Sequence, residues 1–423
     1  MNGGIRKRGS TWSYYFDLGK IGGQRKRKEK GGFKTKKAAE AALAAAINEY
    51  NNAGQVFEPS EATVSDYLDQ WYELYCKPNL KYNTQLNYLG VMEGHLKPSF
   101  GKYKLKALTP AVLQEYANDL KLHGLAKSTV VGILSVFSAA LDYAVEPLHY
   151  ISQNPLKYVR FPKIERKPRE RIILTLEDWH TIIERFKGTR FYIPLMIGFY
   201  TGLRISEAFA LTWDDIDLEK RTLTVNKQVV KRNFGADVRK VLEKKGKKAV
   251  RSSWYFNTPK TQASYRTIPF GESLYQALKA EKERQTLNEI KYGPYYTIHC
   301  LAKEVDEKGN DMFRIVPLQK CVMSQLPRCR LICIAEDGEY TSTDTFKYCS
   351  RIIHFDLHIA FDYHSLRHTH ATMLIEGGAQ VKNVQARLGH TNIQTTLQTY
   401  VHDTEKMAEQ SVDIFEHLTA QSS

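Results

Sequence analysis

Residues 364–374 read His-Ser-Leu-Arg-His-Thr-His-Ala-Thr-Met-Leu and are soon followed by the pair Gly377-Gly378. The run predicts a helix that ends at the two glycines. His364 and Arg367 are three residues apart, and that spacing places both side chains on one face of a helix. The stretch therefore brings an imidazole and a guanidinium together as candidate site residues.

Two further candidates lie downstream of this helix. A Leu-Gly-His motif at 388–390 is followed after ten residues by Tyr400. Either residue has an ordinary explanation, because His390 could be a buried hydrogen-bond donor and Tyr400 a core aromatic among 25 tyrosines. Neither residue indicates chemistry when it is taken alone.

An upstream motif, Tyr-Thr-Gly-Leu-Arg-Ile-Ser-Glu at 200–207, supplies an arginine with a carboxylate three residues on. Gly202 is expected to end one helix, and Arg204 to lie in the first turn of the next. Glu207 would then share a helix face with Arg204 and hold its guanidinium in one orientation. The alternative is an ordinary ion pair on a helix surface.

The histidines and cysteines do not have the pattern expected of a metal site. His364, His368 and His370 could be metal ligands, but the glutamate of an HExxH motif is missing. Cys329 and Cys333 have CxxxC spacing without a second close pair, which argues against structural zinc. Six cysteines in 423 residues are too few for a disulfide scaffold, so reduced thiols are expected.

Positive charge is concentrated in two stretches of the chain. The net charge of +15 arises from 61 Lys and Arg against 46 Asp and Glu. Residues 1–60 hold 12 basic and 5 acidic residues, and residues 227–251 hold 10 and 2. Such clusters fit a phosphate backbone, with solvated loops as the alternative for each. The candidate DNA-binding residues are Arg25, Lys26, Arg27, Lys28, Lys244, Lys245, Lys247 and Lys248.

Length and composition favour a soluble protein with two or three domains. The chain is 42% hydrophobic and 25% charged, which is ordinary for globular proteins. No apolar run approaches about 18 residues, and the first residues are polar and basic instead of a secretory signal. We therefore expect a cytoplasmic protein with no membrane partner.

Local patterns divide the chain into a sheet, a helical bundle and a mixed region. Residues 11–16, 25–30 and 33 predict short strands with turns at Gly22-Gly23 and Gly31-Gly32, and Thr35 can cap a helix over 38–50. Capping signals at Thr63, Thr109 and Ser128 favour four helices between residues 63 and 146. A basic stretch punctuated by prolines then predicts a linker.

The region from residue 171 onward mixes helices and strands. Thr175 is expected to begin an amphipathic helix, and residues 192–200 to form an apolar one. Residues 222–230, 252–257 and 264–268 predict strands, whereas residues 285–350 give no clear pattern. The predicted segments are 1–60, a basic sheet with a helix; 61–150, a helical domain; 151–170, a linker; 171–404, a mixed domain; and 405–423, a C-terminal tail.

Taken in order, the arginine at 204, the His-x-x-Arg motif, the Leu-Gly-His motif and the tyrosine resemble the signature of tyrosine site-specific recombinases, also called phage-type integrases. The amino-acid sequence of residues 364–374 is most similar to that of integrases of conjugative transposons. The resemblance implies an α+β, multidomain fold. The resemblance implies that residues 1–60, a small N-terminal β-sheet plus helix domain, are a basic arm-type DNA-binding domain. It implies a four-helix core-binding bundle over 61–150 and a mainly helical catalytic domain with a small antiparallel sheet over 171–404.

The resemblance also implies the catalytic set and the reaction. The family's lysine lies in a turn between two strands, and Lys260 in Thr-Pro-Lys-Thr (258–261) matches that place. The reaction would be strand cleavage and rejoining through a 3′-phosphotyrosine, with no ATP, metal or other cofactor. The implied catalytic residues are Arg204, Lys260, His364, Arg367, His390 and Tyr400, with Glu207 supporting Arg204.

Partners and rival functions follow from the same resemblance. It implies double-stranded DNA at core and arm-type sites, a homo-tetramer on DNA, and an accessory excision or DNA-bending protein. The tail after residue 404 would dock on a neighbouring protomer or on its own domain. Two alternatives stay open at this point, a type IB topoisomerase with similar chemistry and a DNA-binding regulator without catalysis.

Overall fold

The structure, a computed structural model, divides into two compact units, Met1–Arg166 and Lys167–Ser423. The boundaries of the five predicted segments stay predictions. The described residues are 3–21, 24–53, 62–163, 171–233, 252–259, 261–306, 308–394 and 397, with the side chains of 17–21, 24–27 and 48–53 outside the description.

The first unit begins with a three-stranded antiparallel sheet, β1 (Gly3–Arg8), β2 (Thr11–Ile21) and β3 (Gln24–Phe33), in the order β1-β2-β3. Helix α1 (Lys36–Ala53) follows, and the Thr35 hydroxyl accepts a hydrogen bond from the Ala38 N–H at 3.2 Å. The predicted cap is therefore confirmed. The predicted turn at Gly31-Gly32 is wrong, because both glycines lie within β3, beside a shift in the β2–β3 register.

The helical part of the first unit contains four helical rods. The first comprises α2 (Val64–Trp71), a π-helical turn (Tyr72–Cys76) and α3 (Lys77–Asn79). The second comprises α4 (Tyr82–Val91), a π-helical turn (Met92–Leu96) and α5 (Lys97–Phe100). The third and fourth are α6 (Pro110–Leu122) and α7 (Lys127–Val145). The predicted caps at Thr63 and Thr109 are confirmed, since each hydroxyl accepts from a backbone N–H three residues on. The cap at Ser128 is wrong, because α7 already begins at Lys127 and its N-cap is Ala126.

Both π-helical turns end at a Lys-Pro pair. The backbone N–H groups of Lys77 and Lys97 donate to the carbonyls of Tyr72 and Met92, five residues back. The proline that follows each lysine has no N–H and clashes with an ordinary α-helical turn. The wider turn admits the proline and lets each helix continue.

Helix α7 is the central core helix of this unit. Its buried residues include Ile133, Phe137 and Leu141. Among the described helices it is the one long and apolar enough, by length and composition, to cross a membrane, and 44% of an apolar 18-residue stretch of it is buried inside the protein. The helix is not an unbroken apolar run, because Ser135, Ser138 and Asp142 lie within it.

The second unit mixes helices with two antiparallel sheets. The helices are α8 (Leu176–Phe186), α9 (Tyr192–Thr201), α10 (Ile205–Ala208), α11 (Glu272–Tyr292), α12 (Thr343–Phe355), α13 (Tyr363–Glu376) and α14 (Val381–Leu388). The strands are β4 (Ile216–Asp217), β5 (Thr222–Val225), β6 (Gln228–Asn233), β7 (Ser252–Asn257), β8 (Arg266–Pro269), β9 (Thr297–Val305), β10 (Asp311–Gln319) and β11 (Arg328–Cys329). Thr175 and Asp178 form the capping box that begins α8, as the sequence predicts.

The strands form a three-stranded sheet, β4-β5-β8, and a five-stranded sheet, β11-β9-β10-β7-β6. The single strand predicted over 222–230 is wrong, because β5 and β6 belong to different sheets. Between them Asn226 donates to the buried carboxylate of Asp215 at 3.0 Å, and Lys227 forms an ion pair with it. These contacts hold the chain where it passes from one sheet to the other.

Packing of α9 against α13 joins the upstream and downstream motifs. A side chain at Gly198 would lie within 2.9 Å of Leu366 and Tyr363, so glycine permits this close approach. The Tyr363 hydroxyl donates to the Pro194 carbonyl at 3.1 Å. The two motifs, more than 150 residues apart in sequence, are thereby fixed beside each other.

Candidate active site

Arg204 is held at the start of a short helix by Glu207. Gly202 ends α9 with a φ of +64°, a left-handed conformation that favours glycine. Arg204 is the N-cap of α10, so it precedes the first turn in which it was predicted. Glu207 Oε2 accepts from the Arg204 backbone N at 3.1 Å, and Oε1 accepts from Nη1 at 2.9 Å. The carboxylate fixes both the backbone and the guanidinium.

Glu207 is a buried carboxylate shared by two arginines. It is 3% exposed, and its Oε2 also accepts from Nη2 of Arg266 at 2.9 Å. Burial favours a higher pKa, but the charges and hydrogen bonds of Arg266 and Arg204 outweigh it and lower the pKa of Glu207. The group therefore stays ionised at neutral pH and anchors both guanidinium groups.

Arg367 joins the ends of two helices. Its side chain is buried, Nη1 donates to the Gly202 carbonyl at 2.8 Å, and Nη2 donates to the Leu388 carbonyl at 2.7 Å. Gly202 caps α9 and Leu388 ends α14. One guanidinium on α13 therefore ties together the segments that carry the other candidate residues.

His390 follows the helix terminus at Gly389, whose φ is +68°. Its backbone is fixed by Gln385, which accepts from the His390 N–H at 3.1 Å and donates to its carbonyl at 3.0 Å. Burial, and then the charges of Arg367 and Arg204, lower the pKa of His390 to about 4. The imidazole is consequently neutral at pH 7.

His364 lies at the exposed side of the site. Asp362 is the N-cap of α13, and its Oδ1 accepts from the Ser365 N–H at 2.8 Å. The rings of His364 and His368 lie edge to face with centroids 4.7 Å apart. Partial desolvation, and then repulsion from Arg367, lower the pKa of His364 below its usual value. A neutral ring at pH 7 can accept a proton.

The structure thus brings Arg204, Arg367 and His390 together through hydrogen bonds, and His364 lies close enough to interact electrostatically with both arginines. Two other predicted site residues, Lys260 and Tyr400, lie outside the described residues, as do Lys244, Lys245, Lys247 and Lys248. The backbones of Arg25, Lys26 and Arg27 lie in β3 with side chains outside the description, and Lys28 is half-buried.

Sequence reasoning missed three residues that complete the network. Arg387 Nε donates to His370 Nε2 at 2.9 Å, and His370 Nδ1 donates to the Phe199 carbonyl at 2.8 Å. Arg266 Nε donates to the Arg387 carbonyl at 2.7 Å. Burial and then Arg387 lower the pKa of His370 to about 4, which keeps this ring neutral.

Four guanidinium groups and one carboxylate take part in this network. Those of Arg204 and Arg266 bond to Glu207, whereas those of Arg367 and Arg387 bond to backbone carbonyls of Gly202 and Tyr200. With the nearby imidazoles neutral, the site carries excess positive charge. An anion with several oxygen acceptors would complement such a site, because permanently charged planar donors suit phosphate geometry.

The described residues contain no group of three His, Cys, Asp or Glu side chains placed to hold a metal ion. The CxxxC pair, Cys329 and Cys333, is buried, and both residues are free thiols. Burial raises the pKa of Cys329 to about 12, so its thiol is protonated at neutral pH. This pair serves the hydrophobic core of the second unit.

Comparison with known families decides the identity. Residues 173–407 match the phage integrase family, residues 63–121 its N-terminal SAM-like domain, and residues 4–50 an arm DNA-binding domain. The first match alone spans more than half of the chain. The chain belongs to the phage integrase family. The predicted family is confirmed, and this integrase is an enzyme of the tyrosine recombinase class, which cleaves and rejoins DNA.

This phage integrase is similar to its relatives over most of its length. A tyrosine recombinase XerC-like protein of Caldanaerobacter subterraneus subsp. tengcongensis is 27% identical over 392 residues, covering 91% of this chain and 90% of the relative. The transposase from transposon Tn916 of Enterococcus faecalis is 24% identical over 333 residues, covering 78% and 71%. The predicted similarity to transposon integrases is therefore confirmed.

A solved structure of the Tn1549 transposon integrase in complex with a circular intermediate DNA is similar in fold. It has a TM-score of 0.61 at 22% identity and covers 84% of this chain and 100% of the solved chain. The predicted α+β multidomain fold class is confirmed by this likeness.

Proposed function

We propose that this integrase integrates and excises a mobile element by cleaving and rejoining DNA through a 3′-phosphotyrosine at Tyr400. The observation that carries the proposal is the convergence of Arg204, Arg367 and His390, from three separate segments, on one site. Each residue alone has a structural explanation. Together they form the preorganised cationic site that phosphodiester cleavage needs.

Two guanidinium groups would neutralise the charge that develops on the phosphate. The Arg204 side chain keeps 35% of its surface exposed, so it can meet a phosphate that enters from solvent. Arg367 adds a buried charge behind it, and the neutral His390 adds a hydrogen-bond donor. Removal of one preorganised donor of this kind commonly costs about 10² to 10³ in rate.

The covalent step exchanges one phosphoester for another. The Tyr400 oxygen attacks phosphorus, the bond from phosphorus to the 5′ oxygen breaks, and the phenol proton passes to His364. Lys260 protonates the departing 5′ oxygen. Because the phosphotyrosine retains the ester bond, the 5′-hydroxyl of a second strand can reverse the attack and join the strands.

Duplex DNA would be held by both basic stretches. The match of residues 4–50 to an arm DNA-binding domain supports a role in arm-site binding for Arg25, Lys26, Arg27 and Lys28. Lys244, Lys245, Lys247 and Lys248 would follow the phosphates near the core site. As the family resemblance implies, four protomers would assemble on DNA in the cytoplasm with an accessory excision or DNA-bending protein.

Trapping of the covalent intermediate tests the proposal. The substrate is a labelled DNA duplex that spans the joined ends of the element that encodes the chain and carries a nick beside the cleavage position. Cleavage would release the short fragment that carries the 5′-hydroxyl. The wild-type protein should then give a DNA adduct that survives SDS and disappears on protease treatment. Tyr400→Phe should bind the same DNA and give no adduct.

A matched substitution and two further readouts separate the rival functions. Tyr348→Phe, at a 62% exposed tyrosine of α12, should leave adduct formation unchanged. Joining of two distinct sites distinguishes a recombinase from a topoisomerase, which would only relax supercoiled DNA. An adduct that persists in Tyr400→Phe would overturn the mechanism, and binding without any wild-type adduct would indicate a regulator.

A further inference from the structure

Arg266 touches three parts of the site with one guanidinium. At the start of β8, its Nη2 donates to Glu207 Oε2 at 2.9 Å, its Nε to the Arg387 carbonyl at 2.7 Å, and its Nη1 to the Ser264 carbonyl at 2.9 Å. The side chain is 7% exposed. It is therefore enclosed by the site and faces little solvent.

Each of the three contacts leads to a different group of the proposed mechanism. Glu207 holds the backbone and the guanidinium of Arg204. The Arg387 carbonyl lies three residues before His390 in the terminus of α14. Ser264 closes the short 3-10 turn Gln262–Ser264, which follows Lys260 in the chain. A shift of Arg266 would disturb all three.

The packing around Arg266 leaves little room for such a shift. A Cβ atom at Gly389 would lie 3.0 Å from Arg266 Nη1 and 3.0 Å from the Ala263 carbonyl oxygen. The backbone before His390 is thus pressed against the guanidinium. Glycine at 389 permits both the positive φ and this close approach.

We propose that Arg266 is a positioning residue that fixes Arg204 and His390 relative to the turn that follows Lys260. The inference rests on the proposed function, because it concerns the alignment of groups for strand cleavage. Arginine suits the role since its planar fork can donate to three acceptors at once, whereas lysine carries the charge without that geometry. Small misplacements of catalytic groups can cost about 100-fold in rate.

Single-turnover adduct formation and DNA affinity of the full-length chain test this role. Arg266→Gln should form the adduct on the nicked duplex at least about 10-fold more slowly than wild type, with DNA affinity changed less than about 3-fold. Arg266→Lys should recover part of the rate because its ammonium still pairs with Glu207. A rate loss with unchanged affinity separates positioning from general damage.

A double-mutant cycle tests whether Arg266 acts through Glu207. Glu207→Gln should slow cleavage on its own, and its combination with Arg266→Gln should cost much less than the product of the two separate effects. Arg284→Gln is the matched control, since it removes an arginine that bonds the buried Glu281 on α11, away from this network. It should lower thermal stability and leave the cleavage rate unchanged.

The outcomes distinguish this inference from the proposed function. Absence of an adduct with wild-type protein would overturn the proposed function, whereas a wild-type rate in Arg266→Gln would overturn the positioning role alone. Equal losses of affinity and rate, or strictly multiplicative effects in the cycle, would also overturn it. If Arg266→Gln does not fold, Arg266→Lys decides, because an unimpaired rate there shows that the three-way fork is not needed.

Discussion

The Nη2 atom of Arg367 lies 2.8 Å from Nε2 of His390, although 23 positions separate the two residues. A guanidinium only donates hydrogen bonds, so Nε2 must accept and the ring proton must lie on Nδ1. This tautomer agrees with the lowered pKa of His390. The Nδ1–H group is then the one that His390 can direct at a bound phosphate.

Removal of the Arg367 charge should raise the pKa of His390 from about 4 toward its usual value. Burial is the largest cause of the lowered pKa and persists in Arg367→Gln, but the strongest charge repulsion is lost. Histidine-selective NMR titration of the DNA-free protein measures the change. Lys320→Gln, which removes a cation on another surface, should leave the pKa of His390 at its wild-type value. An unchanged pKa in Arg367→Gln would contradict the assigned contact.

Gly389→Ala should destabilise the protein more than Gly378→Ala. Both glycines have positive φ, and alanine in that conformation costs about 1 to 2 kcal/mol. Gly378 has no atom near its would-be Cβ, whereas Gly389 meets Ala263 and Arg266 at 3.0 Å. Overpacking should add roughly 1 to 3 kcal/mol at Gly389 alone. Chemical denaturation measures the loss of unfolding free energy in each variant. Equal losses would show that the Gly389 backbone can move away from Arg266.

His299 should make the second unit less stable in acid. It is 4% exposed in β9, and burial, followed by Arg328, lowers its pKa to about 4. Because the unfolded chain has an ordinary histidine pKa near 6.5, it takes up a proton more readily than the folded protein between those values. Stability is therefore full above about pH 6.5 and falls as the pH drops toward 4.

Replacement of His299 by phenylalanine should weaken this pH dependence. From pH 7.5 to pH 5, wild type should lose roughly 2 kcal/mol more unfolding free energy than His299→Phe, which has no group to protonate there. Urea denaturation at the two pH values measures the difference. Parallel losses in the two proteins would show that His299 titrates alike in the folded and unfolded states.

Signals confined to a few neighbouring residues predict local structure well. The caps at Thr63, Thr109 and Thr175 are examples, because the hydroxyl and its backbone partner are three residues apart. The five-stranded sheet could not be predicted in the same way. Phe313 of β10 pairs with Phe256 of β7, and no pattern near either residue specifies a partner so distant in the chain.

The same contrast holds for the site. His364, Arg367 and His390 are found from motif spacing, whereas Arg266 acts through contacts that form only after folding. One local signal does point to it, because Arg266 is two residues from the buried Ile268 and so shares its face of β8. An arginine on the buried face of a strand needs an acceptor inside the protein, here the carboxylate of Glu207.

Gln85→Leu should destabilise the helical bundle of the first unit by about 2 to 3 kcal/mol. Gln85 is 6% exposed, accepts from the Tyr72 hydroxyl at 2.9 Å, and donates to the carbonyls of Leu80 at 2.8 Å and Lys77 at 3.2 Å. Leucine has a similar size but forms none of these bonds, each of which contributes about 1 kcal/mol net when buried. Thermal or urea denaturation of the full chain, monitored with a probe placed in this unit, measures the loss of unfolding free energy.

Gln114→Leu provides the comparison for Gln85→Leu. Gln114 also forms three hydrogen bonds, two with the backbone of Arg160 at 2.8 Å and one to the Asn118 side chain at 3.3 Å, but they are accessible to solvent. Water can replace them in the variant, so the loss should stay below about 1 kcal/mol. If the two substitutions cost the same, burial of the Gln85 bonds does not determine their contribution, and the connection between the first two rods is stabilised mainly by apolar packing.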